Sequence, residues 1–515
     1  MHRNIVIGPP GTGKTTYLKN KVDAIIKEGR AQPNEIGYFS FTVKAAEEIR
    51  NRVARESWSE NELKKMYPYF CTLHSLAYKC LRLEAHEIMD ELDYEELSDK
   101  TGRKFVNKMK KGNGIDISMP TAQSQYQDTI NLAYAKYPND KDRLQKIFRE
   151  VKLADYGARN TIMQMDKDLS NFKRDRHKLE YVDYFNSFLE AKNPPALKYL
   201  LIDEAQDLSA HQWMVVDMIQ QISKPVETYI AGDDDQAIFK WAGADVDHFI
   251  ALKEEVDDIK TLEQSYRIPG GPIHELSQHI INKVQNRFDK QYKPRDDEGI
   301  LRRYSDITQV DMSKGNWLVL SSANYFLDDA KDLCELQGWY YQYKGRNSIS
   351  LKLLLALNNW ESWRKGEMLN HLEIKNIYEY LGANVLEGFR KGKTLHSEEK
   401  YTLEDCKAKH GLITDKVWFE SFEGLDTITE NYIRNMRANG ETLNKNPRII
   451  MSTIHGAKGG EADKVLLMQD LTNAALETFS HDPDELHRLF YTGATRAKRE
   501  LHVLDPKNFD RAYIL

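Results

Sequence analysis

The sequence predicts an α/β protein built on two parallel sheets, each interrupted by a mainly helical insertion. Three observations carry that expectation. A short apolar run from Asn4 to Ile7 passes through a glycine-rich turn into Leu18, Val22, Ile25 and Ile26, which recur at helical spacing. Two further hydrophobic runs, 198–207 and 227–236, end in acidic residues. Beyond the segment Leu262 to Pro269, the apolar runs 316–322, 447–455 and 462–470 call for a second sheet.

In chain order, the first helix is expected to stop at Gly29. The strand-like run 36–41 precedes a segment with Ala45, Ile49 and Val53 on one helical stripe, a second strand–helix unit of a parallel sheet. Residues 76–197 read as a helical insertion and 346–445 as a second, polar one. The expected organisation is therefore 1–75 with 198–269 as a first domain and 270–345 with 446–515 as a second. No internal repeat or low-complexity tract is visible.

At 515 residues the chain exceeds the roughly 250 to 300 residues of a single core. With 41% hydrophobic and 30% charged residues it reads as globular, and no apolar run approaches the roughly 18 residues of a membrane span, so no membrane role is expected. The start goes straight into a strand and leaves no room for a secretory leader, which predicts a cytoplasmic location. Cys71, Cys80, Cys334 and Cys406 are scattered, without metal-site spacing, and read as buried thiols. The net charge of −6 does not announce a polyanion partner. Two basic runs, 104–112 and 172–178, could track a nucleic-acid backbone or form solvated helix faces.

The turn Gly8-Pro9-Pro10-Gly11-Thr12-Gly13-Lys14-Thr15-Thr16 has the spacing of a phosphate loop between strand and helix. Its glycines let backbone N–H groups approach phosphate oxygens, and the helix N-terminus adds partial positive charge. Lys14 neutralises β/γ-phosphate charge, and Thr15 offers a hydroxyl to Mg²⁺. Asp203 and Glu204 close a buried strand, where one carboxylate holds hydrated Mg²⁺ and the next deprotonates the attacking water; adjacent acids there can also simply cap the following helix. ATP with Mg²⁺ is the expected cofactor pair. Lys14 lies near one end of the chain and Arg496 near the other, so a nucleotide touching both would sit in a cleft built from both ends and would hold it shut.

Further segments occur in a fixed order: 39–53, Cys71 to Ala77, Leu201 to Asp207, Ala231 to Ala244, Leu262 to Pro269, Met451 to Val465 and Arg488 to Leu501. Together with the phosphate loop they resemble the superfamily 1 helicases of the UvrD/Rep/PcrA type across nearly the whole chain. The resemblance implies two RecA-like motor domains and an ATP-dependent DNA helicase. The segment Thr453-Ile454-His455-Gly456-Ala457-Lys458-Gly459 is similar to the branch that moves 3′ to 5′.

By position, the resemblance makes Gln236 a γ-phosphate sensor and stacks Tyr266 on adenine. It makes Arg267 and Arg496 arginine fingers and brings Glu461 to the ribose. A finger arriving from a second domain would couple hydrolysis to domain closure. Phe41, Thr42, His74, Phe239, Trp241 and His455 fall where the family contacts single-stranded DNA; base stacking on such aromatics tolerates any sequence, which suits a translocase.

The chain departs from the family in three places. Only seven residues precede Gly8, where relatives carry an adenine-reading glutamine segment. Trp241-Ala242-Gly243-Ala244 replaces the common Trp-Arg-Gly-Ala, and Gly460 and Ala462 flank Glu461 in place of bulkier residues. Both insertions are also short. The expected partners are single-stranded and tailed duplex DNA, with replication or repair proteins, and the expected state is monomeric. The alternative is a DNA-stimulated ATPase that remodels protein–DNA complexes without processive unwinding.

Overall fold

The structure is a computed structural model and describes all residues except 1, 54–58, 108–121, 152, 154, 383–384, 387–394, 397–398, 424 and 442–445. Part of the basic run 104–112 lies outside the described residues. The chain divides into two compact units. The first holds Met1–Gly299 with Glu477–Thr495, and the second holds Ile300–Leu476 with Arg496–Leu515.

The first unit is built on six parallel strands: β1 His2–Ile7, β2 Ile36–Ser40, β3 Phe70–Cys71, β4 Tyr199–Asp203, β5 Glu227–Gly232 and β6 Asp258–Thr261, in spatial order β3-β2-β4-β5-β1-β6. The apolar runs form the central strands because both faces are covered. Ile5, Ile7, Leu200, Ile202 and Ile230 enter one buried cluster, and Val6, Ile36, Tyr38, Leu201 and Ala231 enter another. The helix Lys14–Lys27 buries Leu18, Val22 and Ile25, the stripe read from the sequence.

Between β3 and β4 the chain is helical, and Tyr94, Leu97, Ile130, Phe148, Ile162, Met165, Leu169 and Phe172 form its own core. The basic run 172–178 belongs to this core's periphery. Lys173 bonds Asp183 at 2.8 Å and Glu180 at 3.1 Å, Lys178 bonds Asp93 at 2.9 Å, and Arg176 pairs with Glu96. Those three cations are engaged in ion pairs within the first unit, and Lys173 and Lys178 are largely buried rather than on a solvated helix face.

The first unit runs past the expected boundary at 269. Strands β7 Gln264–Gly270 and β8 Lys293–Glu298 pair with each other, and helix Pro272–Ile281 packs against helix Pro483–Ala494, which is why Glu477–Thr495 belongs here.

The second unit carries a seven-stranded sheet with β9 Ile300–Tyr304, β10 Trp317–Ser321, β11 Tyr341–Tyr343 and β12 Arg346–Asn347. A separate antiparallel pair, β13 Leu369–Asn370 with β14 Lys400–Tyr401, lies in the insertion, and β15 Ile449–Thr453, β16 Ala462–Met468 and β17 Ala497–Leu504 return to the sheet. The spatial order is β12-β11-β15-β10-β16-β17-β9, parallel except for β11 with β12. The insertion between β12 and β15 is mainly helical, and its core includes Trp360, Trp363 and Trp418. Its indole donors are satisfied internally, Trp360 Nε1 by the Lys416 carbonyl at 3.1 Å and Trp363 Nε1 by the Tyr401 carbonyl at 3.0 Å.

Among the described residues, no helix is long and apolar enough to cross a membrane. The four cysteines are free; three are buried and Cys80 is partly exposed.

Candidate functional site

Strand β1 delivers the phosphate loop at the C-terminal ends of the first sheet's strands, where Gly8 N–H donates to the Gly232 carbonyl at 3.0 Å. Gly11 and Gly13 have φ of 72° and 82°, a left-handed backbone that glycine adopts without strain. At Gly11 a side chain is also excluded by space, since a Cβ would lie 2.3 Å from the Arg267 Cβ. The loop therefore backs closely onto the segment after β6. Ser265 Oγ donates to the Pro10 carbonyl at 2.7 Å, and the Tyr266 N–H donates to the Gly11 carbonyl at 2.9 Å. These bonds seat Arg267 beside the loop, while the Tyr266 ring is 73% exposed. Within the loop, Thr12 Oγ1 donates to the Pro9 carbonyl at 2.8 Å. Gly13 is the N-cap of the helix that carries Lys14, Thr15 and Thr16.

Lys14 is buried, and its ammonium donates to the Gly8 carbonyl at 2.8 Å and stands 4.0 Å from Glu204 Oε1. Thr15 Oγ1 donates to Asp203 Oδ2 at 3.0 Å, and the Tyr38 phenol donates to the same oxygen at 2.6 Å. Burial pushes the Asp203 carboxyl up to about 6, and the adjacent Glu204 carboxylate adds to the shift. A cation would reverse that shift by favouring the charged form. Among the described residues, no group of three or more His, Cys, Asp or Glu could hold a metal by itself. One carboxylate and one hydroxyl do fit Mg²⁺, which commonly takes its remaining ligands from phosphate and water.

Glu204 is one of six described non-glycine residues with positive φ, at 54°. That conformation carries local strain and turns the carboxylate out of the strand direction, back toward Lys14. The expectation that this acid might cap a helix is not met by a side-chain bond, because Glu204 makes no cap hydrogen bond to the short turn that follows. Gln236 is buried, and its Nε2 donates to Asp233 Oδ2 at 2.5 Å.

Sequence reasoning did not find the group that holds Asp233. Asp233, Asp234 and Asp235 are fully buried at the end of β5, and Lys290 contacts all three, at 3.1 Å from Asp233, 3.0 Å from Asp235 and more closely on Asp234. Arg287 adds a two-pronged pair to Asp235, its Nε at 2.9 Å. Only the run of three acids hinted at this. Nothing local says that a lysine more than 50 residues away answers them.

Three of the residues expected to touch DNA come together in the first unit. Phe41 stacks on Phe239 with ring centroids 5.4 Å apart, and Phe239 meets Trp241 edge-on at 6.3 Å. Phe239 is buried whereas Trp241 is 43% exposed, so the pair beneath supports an accessible indole. Neighbouring Lys240 is paired with Asp482. Thr42 is exposed, and its Oγ1 accepts from the Ala45 N–H at 3.2 Å, capping the helix that follows. His74 is packed between rings, its centroid 3.4 Å from Tyr181 and 3.9 Å from Phe185. Burial, with nearby His211, holds its pKa well below the ordinary value. The ring is neutral and already packed against Tyr181 and Phe185.

Glu461, Arg496 and His455 belong to the second unit. Arg496 is 2% exposed, lies just past Thr495, the C-cap of helix Pro483–Ala494, and its guanidinium donates to the Gly460 carbonyl at 3.3 Å. Glu461 is exposed and pairs with Lys498 at 2.6 Å. His455 is partly buried in the turn after β15.

Residues 2–257 match the family model described as the UvrD/REP helicase N-terminal domain, and residues 449–504 match the one described as the UvrD-like helicase C-terminal domain. The ATP-dependent DNA helicase PcrA of Staphylococcus epidermidis is 26% identical over 277 residues, covering 51% of this chain and 36% of that protein. PcrA of Staphylococcus aureus is 25% identical over 297 residues, covering 55% of this chain and 38% of that protein. The matched region thus spans little more than a third of those curated relatives' length. A solved structure titled "The structure of PRRSV helicase" gives a TM-score of 0.34 at 10% identity, covering 98% of this chain and 53% of that one, a likeness too loose to bear on any argument.

Proposed function

We propose, from the premise that this chain belongs to the UvrD/Rep helicase family, that it is an ATP-dependent DNA helicase translocating 3′ to 5′ on single-stranded DNA. The observation that carries the catalytic part is the convergence of three separate segments in the first unit. Thr15 and Asp203 present oxygens 3.0 Å apart, Glu204 faces Lys14 at 4.0 Å, and the Gly11 loop rests on Arg267. In the proposed cycle Lys14 exchanges the Gly8 carbonyl for phosphate oxygens, and Thr15 and Asp203 hold Mg²⁺. When bound, Mg²⁺ neutralises charge on the transferred phosphoryl group. Glu204 orients the attacking water and takes its proton, while Gln236 senses the γ-phosphate. Arg267 and Arg496 meet the developing charge, with Tyr266 on the base and Glu461 on the ribose.

Because Arg267 and Arg496 belong to different units, hydrolysis in this reading waits for both to engage one nucleotide. Trp241, with Phe239 and Phe41 beneath it, offers a sequence-tolerant stacking surface for successive bases, with Thr42, His74 and His455 completing the strand contacts. The test is steady-state ATPase with and without DNA or RNA oligonucleotides, then unwinding of duplexes with a 3′ or a 5′ tail. The expected result is DNA stimulation and unwinding of the 3′-tailed substrate alone. ATPase indifferent to DNA, or unwinding from the 5′ tail, refutes the reading.

A further inference from the structure

Gln206 joins the acidic end of β4 to the turn that follows β5. It is fully buried in the turn between β4 and the following helix, and both ends of its amide are used. Nε2 donates to Glu204 Oε2 at 2.6 Å and, more weakly, to Asp207 Oδ2 at 3.4 Å, while Oε1 accepts the Asp233 N–H at 3.0 Å. The amide can face only one way. A backbone N–H demands the oxygen on one side, which leaves the two donors for the carboxylates on the other.

The close approach is built into β5, whose last residue is Gly232; a Cβ there would lie 2.7 Å from Gln206 Oε1. Asp233 in turn holds Gln236 through its side chain at 2.5 Å. One unbroken chain of hydrogen bonds therefore runs from Glu204 through Gln206 and Asp233 to Gln236.

We propose that Gln206 is a positioning residue for the hydrolytic step: it fixes the carboxylate of Glu204 in register with the Asp233–Gln236 turn, so that base and phosphate sensor are held as one rigid unit. The strained backbone of Glu204, with φ of 54°, makes such an anchor necessary, because the side chain would otherwise be placed by a turn with low intrinsic preference for that conformation. The proposal rests on the reading of Glu204 as the base.

The experiment is a double-mutant cycle in the full chain, using Gln206→Met, which keeps the shape and removes all three side-chain hydrogen bonds, Glu204→Gln, and the two together. DNA-stimulated kcat and KM are measured beside equilibrium binding of a non-hydrolysable ATP analogue. Removing a hydrogen bond to a charged group predicts a kcat loss of roughly 10- to 100-fold in Gln206→Met, with analogue binding within about twofold of the parent. In the double variant the loss should be no greater than in Glu204→Gln alone, because residues that act through one another do not add.

Losses that multiply in the double variant, or a Gln206→Met effect confined to KM and analogue binding, overturn the positioning role while leaving Glu204 as base. Undiminished turnover in Glu204→Gln overturns that base assignment and the proposal with it. Gln206→Glu supplies a check that does not depend on packing. It retains the volume but sets a carboxylate against Glu204, and is expected to be at least as slow as Gln206→Met; turnover at the parent rate counts against the proposal.

Discussion

Replacing Lys290 by methionine tests how the Asp233–Gln236 turn is held together. The side chains of Asp233, Asp234, Asp235 and Lys290 are each no more than 1% exposed, and Lys290 lies within 3.1 Å of all three carboxylates. With Arg287 also present, two cations answer three acids; methionine leaves one. Removing one partner of a buried ion pair typically costs about 3 to 5 kcal/mol, because the remaining charge stays desolvated.

Unfolding entropy is about 2.1 cal/mol/K per residue, so for a unit of roughly 300 residues that cost corresponds to a melting-temperature drop of about 5 to 8 °C. The loss should also depend on pH. Burial raises the Asp235 carboxyl to about 6; Lys290 opposes the shift, and Asp234 and Asp233 reinforce it. An acid whose folded pKa lies above its unfolded value holds its proton more firmly when folded, so its contribution to stability is present at low pH and is lost as pH rises toward 6. Without Lys290 more of the cluster should accept protons, and the destabilisation should be smaller at pH 5.5 than at pH 8. The assay is differential scanning calorimetry of parent and variant at both values. A variant melting within 1 °C of the parent, or a penalty that does not shrink in acid, refutes the view that Lys290 compensates buried charge.

Three further outcomes are expected. Glu204→Gln should bind nucleotide normally while hydrolysis stalls, read by analogue binding beside phosphate release; loss of binding would place Glu204 in affinity instead. Arg496→Ala should lower DNA-stimulated kcat by about 10³-fold or more, the usual scale of an arginine finger; a change of less than tenfold would leave that guanidinium outside the reaction. Trp241→Ala should weaken single-stranded DNA binding by about 1 to 3 kcal/mol, measured by fluorescence anisotropy, and should raise the ATP consumed per base pair unwound. Unaltered affinity and coupling would remove the indole from the DNA path.

The parts legible in the sequence are those whose signal is local. The runs expected as strands at 4–7, 36–41, 198–207, 227–236, 316–322, 447–455 and 462–470 all contain strands; the first extends back to His2 and the others end short of the expected bounds. The phosphate loop could be read because its glycines, lysine and threonine are neighbours. Gln206, Tyr38, Arg287 and Lys290 could not. Each acts on a residue brought near by the fold, and a glutamine or a lysine has no pattern of its own that names its partner. The same reason hid the extent of the first unit, since the placement of 270–299 and 477–495 depends on helix packing rather than on any change in composition.

The first unit is also not one stretch of chain. Helix Pro483–Ala494 is buried from Leu486 onward and lies against helix Pro272–Ile281, although residues 300–476 of the second unit intervene in the sequence. No single cut can therefore liberate an intact half. A fragment ending at 299 would lack this helix and expose the apolar surface it covers, and is expected to aggregate unless residues 477–495 are restored by a linker or as a separate peptide.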